Sequence, residues 1–91
     1  MDWKNLGFTY QKTDKRFSAI WREGQWSEGR LIEEDKLQLS ESAGVLQYAQ
    51  TCFEGLKAYR TQEGKIVIFR PDLNAERLNN SCRRLCIPEL P

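Results

Sequence analysis

The apolar positions of FSAIWREGQWSEGRLIE fall into two runs rich in aromatic and β-branched residues, which predicts two strands over residues 17–22 and 26–34. The polar break between them carries Glu23-Gly24-Gln25, and a glycine there supplies the backbone freedom of a tight hairpin. Downstream, DKLQLSESAG alternates at Leu37 and Leu39 and then dissolves into small polar residues, the composition of a loop. Val45, Tyr48 and Cys52 share helical spacing, so one or two turns of helix ending at Gly55 are expected next.

Residues 56–59 and 66–69 are two further strand-like runs, joined by RTQEGK, whose Glu-Gly signals a second hairpin. Alternation along the first run places Lys57 and Tyr59 on one face, Leu56 and Ala58 on the other. The stretch FRPDLNAERLNNSCRRLCIPELP predicts a helix over 71–86. Pro71 suits its first position, Asp72 complements its positive end, and Leu78, Cys82, Leu85 and Cys86 recur at helical spacing before Pro88 stops it. A polar stripe of Asn74, Arg77 and Ser81 runs beside the apolar one. The expected fold class is α+β: β-hairpins forming a mostly antiparallel sheet packed with a C-terminal helix. Because the chain stops at IPELP, directly after a helix that should cover a sheet, a continuation beyond Pro91 is expected.

Composition narrows what this fold can do. With 91 residues, 40% hydrophobic and 30% charged, the chain is sized for one small domain, too small to bury a complete catalytic cleft with its supporting shell, so a partial site is expected. Fourteen basic and thirteen acidic residues are interspersed, which offers no field for steering toward nucleic acid or anionic lipid. No apolar stretch has the length of a membrane span and MDWKNLGF lacks a signal-peptide core, so the cytoplasm is the expected location.

The three cysteines show no CxxC spacing and histidine is absent, which argues against zinc and against Ser-His-Asp or Cys-His nucleophiles. Cys82 and Cys86, four apart, are expected on one helix face as buried reduced thiols, with a redox role as the alternative. Any chemistry must then come from a bound cofactor, a lysine or carboxylates.

Arg77 is the first candidate: its planar fork, on the first part of a helix between Asn74 and Ser81, suits a phosphate dianion, although a solvated arginine paired with an acid such as Asp72 or one near Glu76 is the more ordinary reading of the residues alone. Lys57 beside Tyr59 could form a Schiff base if desolvated, or stand as an ammonium at a cleft rim. Phe8, Tyr48 and Phe53 could fill a core or wall an apolar pocket, and Gly55 permits a left-handed backbone or the close approach of a ligand.

Tyr48, TCFEGLKAYR and IVIFRPDLNAERL, taken in order, resemble the N-terminal domain of the branched-chain amino acid aminotransferases, fold-type IV pyridoxal-phosphate enzymes. The likeness extends back through Leu6-Gly7-Phe8 and the Trp21/Trp26 hairpin and so covers nearly the whole chain. It implies that residues 1–91 are part of the small N-terminal domain of such an enzyme, with the domain bearing the catalytic lysine absent. By the same resemblance Arg77 binds the cofactor phosphate, Phe8, Phe53 and Gly55 wall the substrate side-chain pocket, and Tyr48 enters the pocket of the neighbouring subunit. Lys57 matches a variable basic position near the pocket mouth, and no position matches the Schiff-base lysine, so these residues alone are expected to be inactive. The implied reaction is ping-pong transfer of the amino group of leucine, isoleucine or valine to 2-oxoglutarate, in a homodimer or higher homo-oligomer. Rival readings are a D-amino acid aminotransferase or aminodeoxychorismate lyase of the same fold type, or a stand-alone binding domain.

Overall fold

Glu23 and Gly24 both stand at positive φ, 52° and 81°, and this two-residue turn closes a hairpin with the right-handed twist of its strands. The structure is a computed structural model describing residue 7 and residues 9–91, and the chain divides into two compact units, Met1–Gln38 and Leu39–Pro91. The hairpin dominates the first unit. Its strands are β1 (Arg16–Ser18), β2 (Trp21–Arg22), β3 (Gln25–Trp26) and β4 (Arg30–Ile32), with β1 antiparallel to β4 and β2 antiparallel to β3.

The arms are not the two unbroken strands expected from the apolar pattern. Ser18 faces Arg30 and Trp21 faces Trp26, so residues 19–20 are opposed by residues 27–29 and the ladder carries one extra residue, a bulge. Gly29 absorbs it at φ 79°, and the Ser27 hydroxyl accepts the Ile20 N–H (2.9 Å) while the Ser27 N–H donates to the Ile20 carbonyl (2.8 Å). Gln25 consequently belongs to a strand and not to the turn. Phe17, opposite Leu31, lies diagonally across from Gly29, and a Cβ added there would overlap its ring. At the hairpin end Trp21 and Trp26 meet edge to face, centroids 5.5 Å apart. Near its base the Tyr10 hydroxyl donates to Asp35 Oδ2 at 2.6 Å, which holds the Asp35 carboxyl below its ordinary value.

The second unit contains α1 (Gly44–Gln47), β5 (Ala58–Arg60), β6 (Ile66–Ile68) and α2 (Pro71–Arg84). Helix α1 is a single turn. It ends at Gln47, well before the expected stop at Gly55, because Ala49 swings to φ 53° and the backbone from 50 to 57 is irregular. Strands β5 and β6 pair antiparallel around a five-residue loop, 61–65, in which the Gly64 N–H donates to the Thr61 carbonyl (3.0 Å) and Gly64 takes the left-handed position at φ 85°.

The start of α2 follows the sequence logic, with Pro71 in the first turn and Asp72 behind it, its carboxylate gripped by both Nε and Nη2 of Arg70. Its end does not. The helix finishes at Arg84, and Cys86 turns left-handed (φ 57°) so that the Ile87 N–H reaches the Cys82 carbonyl (2.9 Å) and the Cys86 N–H the Arg83 carbonyl (3.4 Å). That paired capping turn satisfies the last carbonyls before Pro88 is reached. Cys86 is therefore exposed outside the helix, while Cys82, 3% exposed, is buried as expected.

The α+β character stands, but the strands form three separate two-stranded ladders, and among the described residues no strand packs along α2. The physical reason is size: strands of two or three residues have only one neighbour each, and Tyr59, Ile66, Val67 and Ile68 on β5 and β6 remain exposed on both faces. What lies along α2 is the irregular segment 50–55 on one side and the chain tail on the other, where Asn79 exchanges both side-chain hydrogen bonds with the Leu90 backbone (2.8 and 3.3 Å). No described helix is long and apolar enough to cross a membrane.

Candidate functional site

Asn74 and Arg77 stand three residues apart on α2, so both side chains leave the same helix face, and the Phe53-Glu54-Gly55 segment supplies the acceptor between them. Arg77 Nε donates to Glu54 Oε2 at 3.1 Å and Nη2 to Oε1 at 2.5 Å, a two-pronged charge-assisted pair. Asn74 Nδ2 donates to the same Oε1 at 2.9 Å and to the Gly55 carbonyl at 2.8 Å. Ser81, one turn further along, takes no part among the described residues. These bonds, with the Arg77 guanidinium foremost, hold the Glu54 carboxyl below its ordinary value, and Glu54 in turn raises Arg77.

The acid-paired reading of Arg77 is thus realised, but with Glu54 and not the expected Asp72, whose carboxylate is taken by Arg70. It does not exhaust the guanidinium. Arg77 is more than half exposed, and Nη1, together with the second N–H of Nη2, has no hydrogen-bond partner among the described residues. A guanidinium whose plane is fixed on one edge by a carboxylate can present its other edge to an oxyanion. The donor set therefore fits a phosphate, reached through Nη1 and not through the fork that faces Glu54.

The aromatic candidates are neither core nor closed pocket. Tyr48, capping α1, is 85% exposed and Phe53 is 89% exposed. Gly55 lacks positive φ, so its left-handed option is not used; the close approach is made by the Phe53 ring, whose Cζ would lie 3.2 Å from an added Cβ. Phe53, Gly55 and Arg77 are thereby gathered around Glu54. Phe8 lies outside the described residues. Lys57 precedes β5 in irregular backbone, where the strand alternation assigned to it does not apply.

Glu54 is the residue that sequence reasoning passed over. It lies between Phe53 and Gly55, and the sequence signal for it is a short-loop carboxylate ahead of a helix face bearing Asn and Arg three apart. In the first unit, an open concavity of about 600 Å³ gathers Arg16, Arg22, Arg30 and Lys36, a basic cluster that the interspersed charges of the sequence do not advertise. No expected site residue lines it.

No protein-family model matches the chain. It is 59% identical over 90 residues to the branched-chain-amino-acid aminotransferase of Helicobacter pylori, covering 99% of this chain and 26% of that protein. To the branched-chain-amino-acid aminotransferase of Haemophilus influenzae it is 50% identical over 91 residues, covering all of this chain and 26% of that protein. A chloroplastic branched-chain amino acid aminotransferase of Humulus lupulus is 45% identical over 89 residues, covering 97% of this chain and 22% of that protein. Along its whole length, then, the chain is similar to branched-chain-amino-acid aminotransferases, of whose own length it spans about a quarter.

Proposed function

We infer that these residues are part of the N-terminal domain of a pyridoxal-phosphate-dependent branched-chain amino acid aminotransferase of fold type IV. The observation that carries this reading is the identity, 59% over 90 residues and 50% over 91, to proteins named branched-chain-amino-acid aminotransferases. The exposed edge of Arg77, braced by Glu54 and Asn74, supports it as an anchor for an anionic group.

When bound, pyridoxal phosphate supplies the electron sink that lets an amino group leave one carbon skeleton for another. The role of this chain is to hold and to select. Arg77 would hold the cofactor phosphate through its free edge, with Glu54, itself braced by Asn74, keeping the guanidinium from swinging away. Phe53 and Gly55, with Phe8, line the substrate side-chain pocket, and Tyr48 reaches the pocket of a neighbouring subunit in a homodimer or larger homo-oligomer. Rings this exposed suit a wall completed by other parts of the whole protein. Such a wall accepts leucine, isoleucine and valine and rejects a charged side chain, which would be buried unpaired. The lysine that moves the α-proton lies elsewhere in the whole protein, 2-oxoglutarate is the amino-group acceptor, and the cytoplasm is the site of action.

The test is made on the intact protein. It should develop an absorbance band on addition of pyridoxal phosphate and transfer the amino group of leucine to 2-oxoglutarate. A protein that stays colourless and does not respond to the added cofactor overturns the reading.

A further inference from the structure

Outside the Arg77 knot, the second unit brings two thiols together that the proposed function does not use. Cys52 and Cys82 lie thirty residues apart in sequence with their Sγ atoms 3.8 Å apart, both in the free state. Their meeting is built by their neighbours. Gln50 Nε2 donates to the Leu85 carbonyl at 2.9 Å, and Glu54 receives Arg77 and Asn74, so the segment 50–54 runs antiparallel to α2 with an anchor on each side of Cys52. Residue 50 is held beside 85 and residue 54 beside 77 and 74, which leaves 52 facing 82.

We propose that Cys52 and Cys82 form an oxidative modification site, at which a hydroperoxide converts the thiol pair to a disulfide that ties the segment ahead of Glu54 to helix α2. A disulfide bond is about 2.05 Å long, so the sulfurs must close by roughly 1.8 Å. Side-chain rotation and the irregular backbone around Cys52 supply that movement without disturbing a strand or helix.

The two thiols have different parts. Cys52 is partly exposed and meets the oxidant, whereas Cys82 is buried and burial pushes its thiol up, keeping it protonated until a partner arrives. With hydrogen peroxide, the Cys52 thiolate attacks one oxygen and the O–O bond breaks, giving a sulfenic acid and, with a proton from solvent, water. Cys82 Sγ then attacks Cys52 Sγ; the S–S bond forms, the S–O bond breaks, and hydroxide leaves as a second water carrying the Cys82 proton. Two thiols lose two electrons and one peroxide gains them. Cys86, exposed in its left-handed turn beyond the helix, stands outside this register and serves as an internal control.

The sequence makes the outcome easy to read. Trypsin releases Cys52 in residues 37–57, Cys82 in residues 78–83, and Cys86 in a separate peptide beginning at Leu85. The reduced intact protein is treated with about one equivalent of hydrogen peroxide, capped with N-ethylmaleimide, digested and analysed by mass spectrometry without reductant. The expected product is the 37–57 peptide joined to the 78–83 peptide, lost on treatment with dithiothreitol, absent in Cys52→Ser and retained in Cys86→Ser. In Cys82→Ala, Cys52 should instead be trapped by dimedone as a sulfenic acid. Recovery of Cys52 and Cys82 as separately capped or over-oxidised peptides in the wild type, or linkage of Cys52 to the Leu85 peptide, overturns the proposal. Because the decisive digest uses the unmodified sequence, it does not depend on a variant folding.

Discussion

Replacing Glu54 by Gln separates two effects that the site sets against each other. The carboxylate receives three donors: Arg77 Nε, Arg77 Nη2 and Asn74 Nδ2. A glutamine offers one acceptor oxygen. If that oxygen takes the Oε1 position, serving Nη2 and Asn74, the amide nitrogen faces Arg77 Nε, donor against donor, and the guanidinium loses one of its two fixed points. A hydrogen bond to a charged group corresponds to roughly tenfold or more in an equilibrium constant. Part of that loss passes to the ligand through a less well oriented Nη1. The substitution also removes a negative charge that would lie across the guanidinium from the phosphate, but between exposed groups screening keeps that relief small. Orientation therefore outweighs repulsion, and the account predicts that Glu54→Gln weakens pyridoxal phosphate binding several-fold. The assay is an absorbance titration of the intact protein at neutral pH, with circular dichroism confirming an unchanged fold. Binding that equals or exceeds wild type would show that Glu54 does not position Arg77 and merely opposes the ligand's charge.

Other expected outcomes follow from the same fold. Glu54, Asp35 and Asp72 all have folded-state values depressed, by Arg77, Tyr10 and Arg70 respectively, so their stabilisation is complete above the ordinary carboxylate range, about pH 4, and is lost as pH falls through the depressed values. Urea midpoints measured from pH 7 downward should decline in that window, with a shallower decline in Glu54→Gln; a flat profile contradicts the assignment. Gly29→Ala places a Cβ at positive φ against the Phe17 ring and should cost about 1–2 kcal/mol in urea unfolding. Cys86→Gly relieves the left-handed strain at the end of α2, offset by greater freedom of the unfolded chain, and should stabilise by about 0.5–1 kcal/mol. Trp26→Ala removes the edge-to-face contact with Trp21, worth about 0.5–1.5 kcal/mol, and should abolish the exciton couplet of the pair in far-ultraviolet circular dichroism.

Which features the sequence disclosed has a physical pattern. The first hairpin was legible because Glu23-Gly24 stands between two apolar runs, a signal carried by neighbouring residues. The bulge was not, since it depends on the Ser27 hydroxyl replacing a ladder partner across the strand. The start of α2 was written in Pro71 and Asp72, whereas its end turns on a cysteine entering a conformation that glycine usually fills, which spacing alone does not reveal. The helical spacing of Val45, Tyr48 and Cys52 misled for a related reason: Ala49 breaks the helix at a residue whose composition favours continuing it. The expected single sheet failed because pairing between ladders is a property of strand length and burial, and these strands are short and exposed.

At the site, the sequence offered Arg77 a choice between a phosphate and an acid, and in the fold Glu54 is the acid while Arg77 stays more than half exposed. Nothing local in FEGLKAYR announces that its glutamate rather than its lysine meets the helix; only the antiparallel run of 50–54 along α2 does that. The same run sets Cys52 against Cys82, so the thiol pair and the guanidinium knot share one structural cause.

The most direct measurement of the anchor compares pyridoxal phosphate with unphosphorylated pyridoxal in the intact protein and in Arg77→Ala. Wild type should favour the phosphorylated form, and the variant should lose about tenfold or more of that preference while binding of pyridoxal itself stays the same. An Arg77→Ala protein that is folded and discriminates between the two compounds as strongly as wild type would contradict the account.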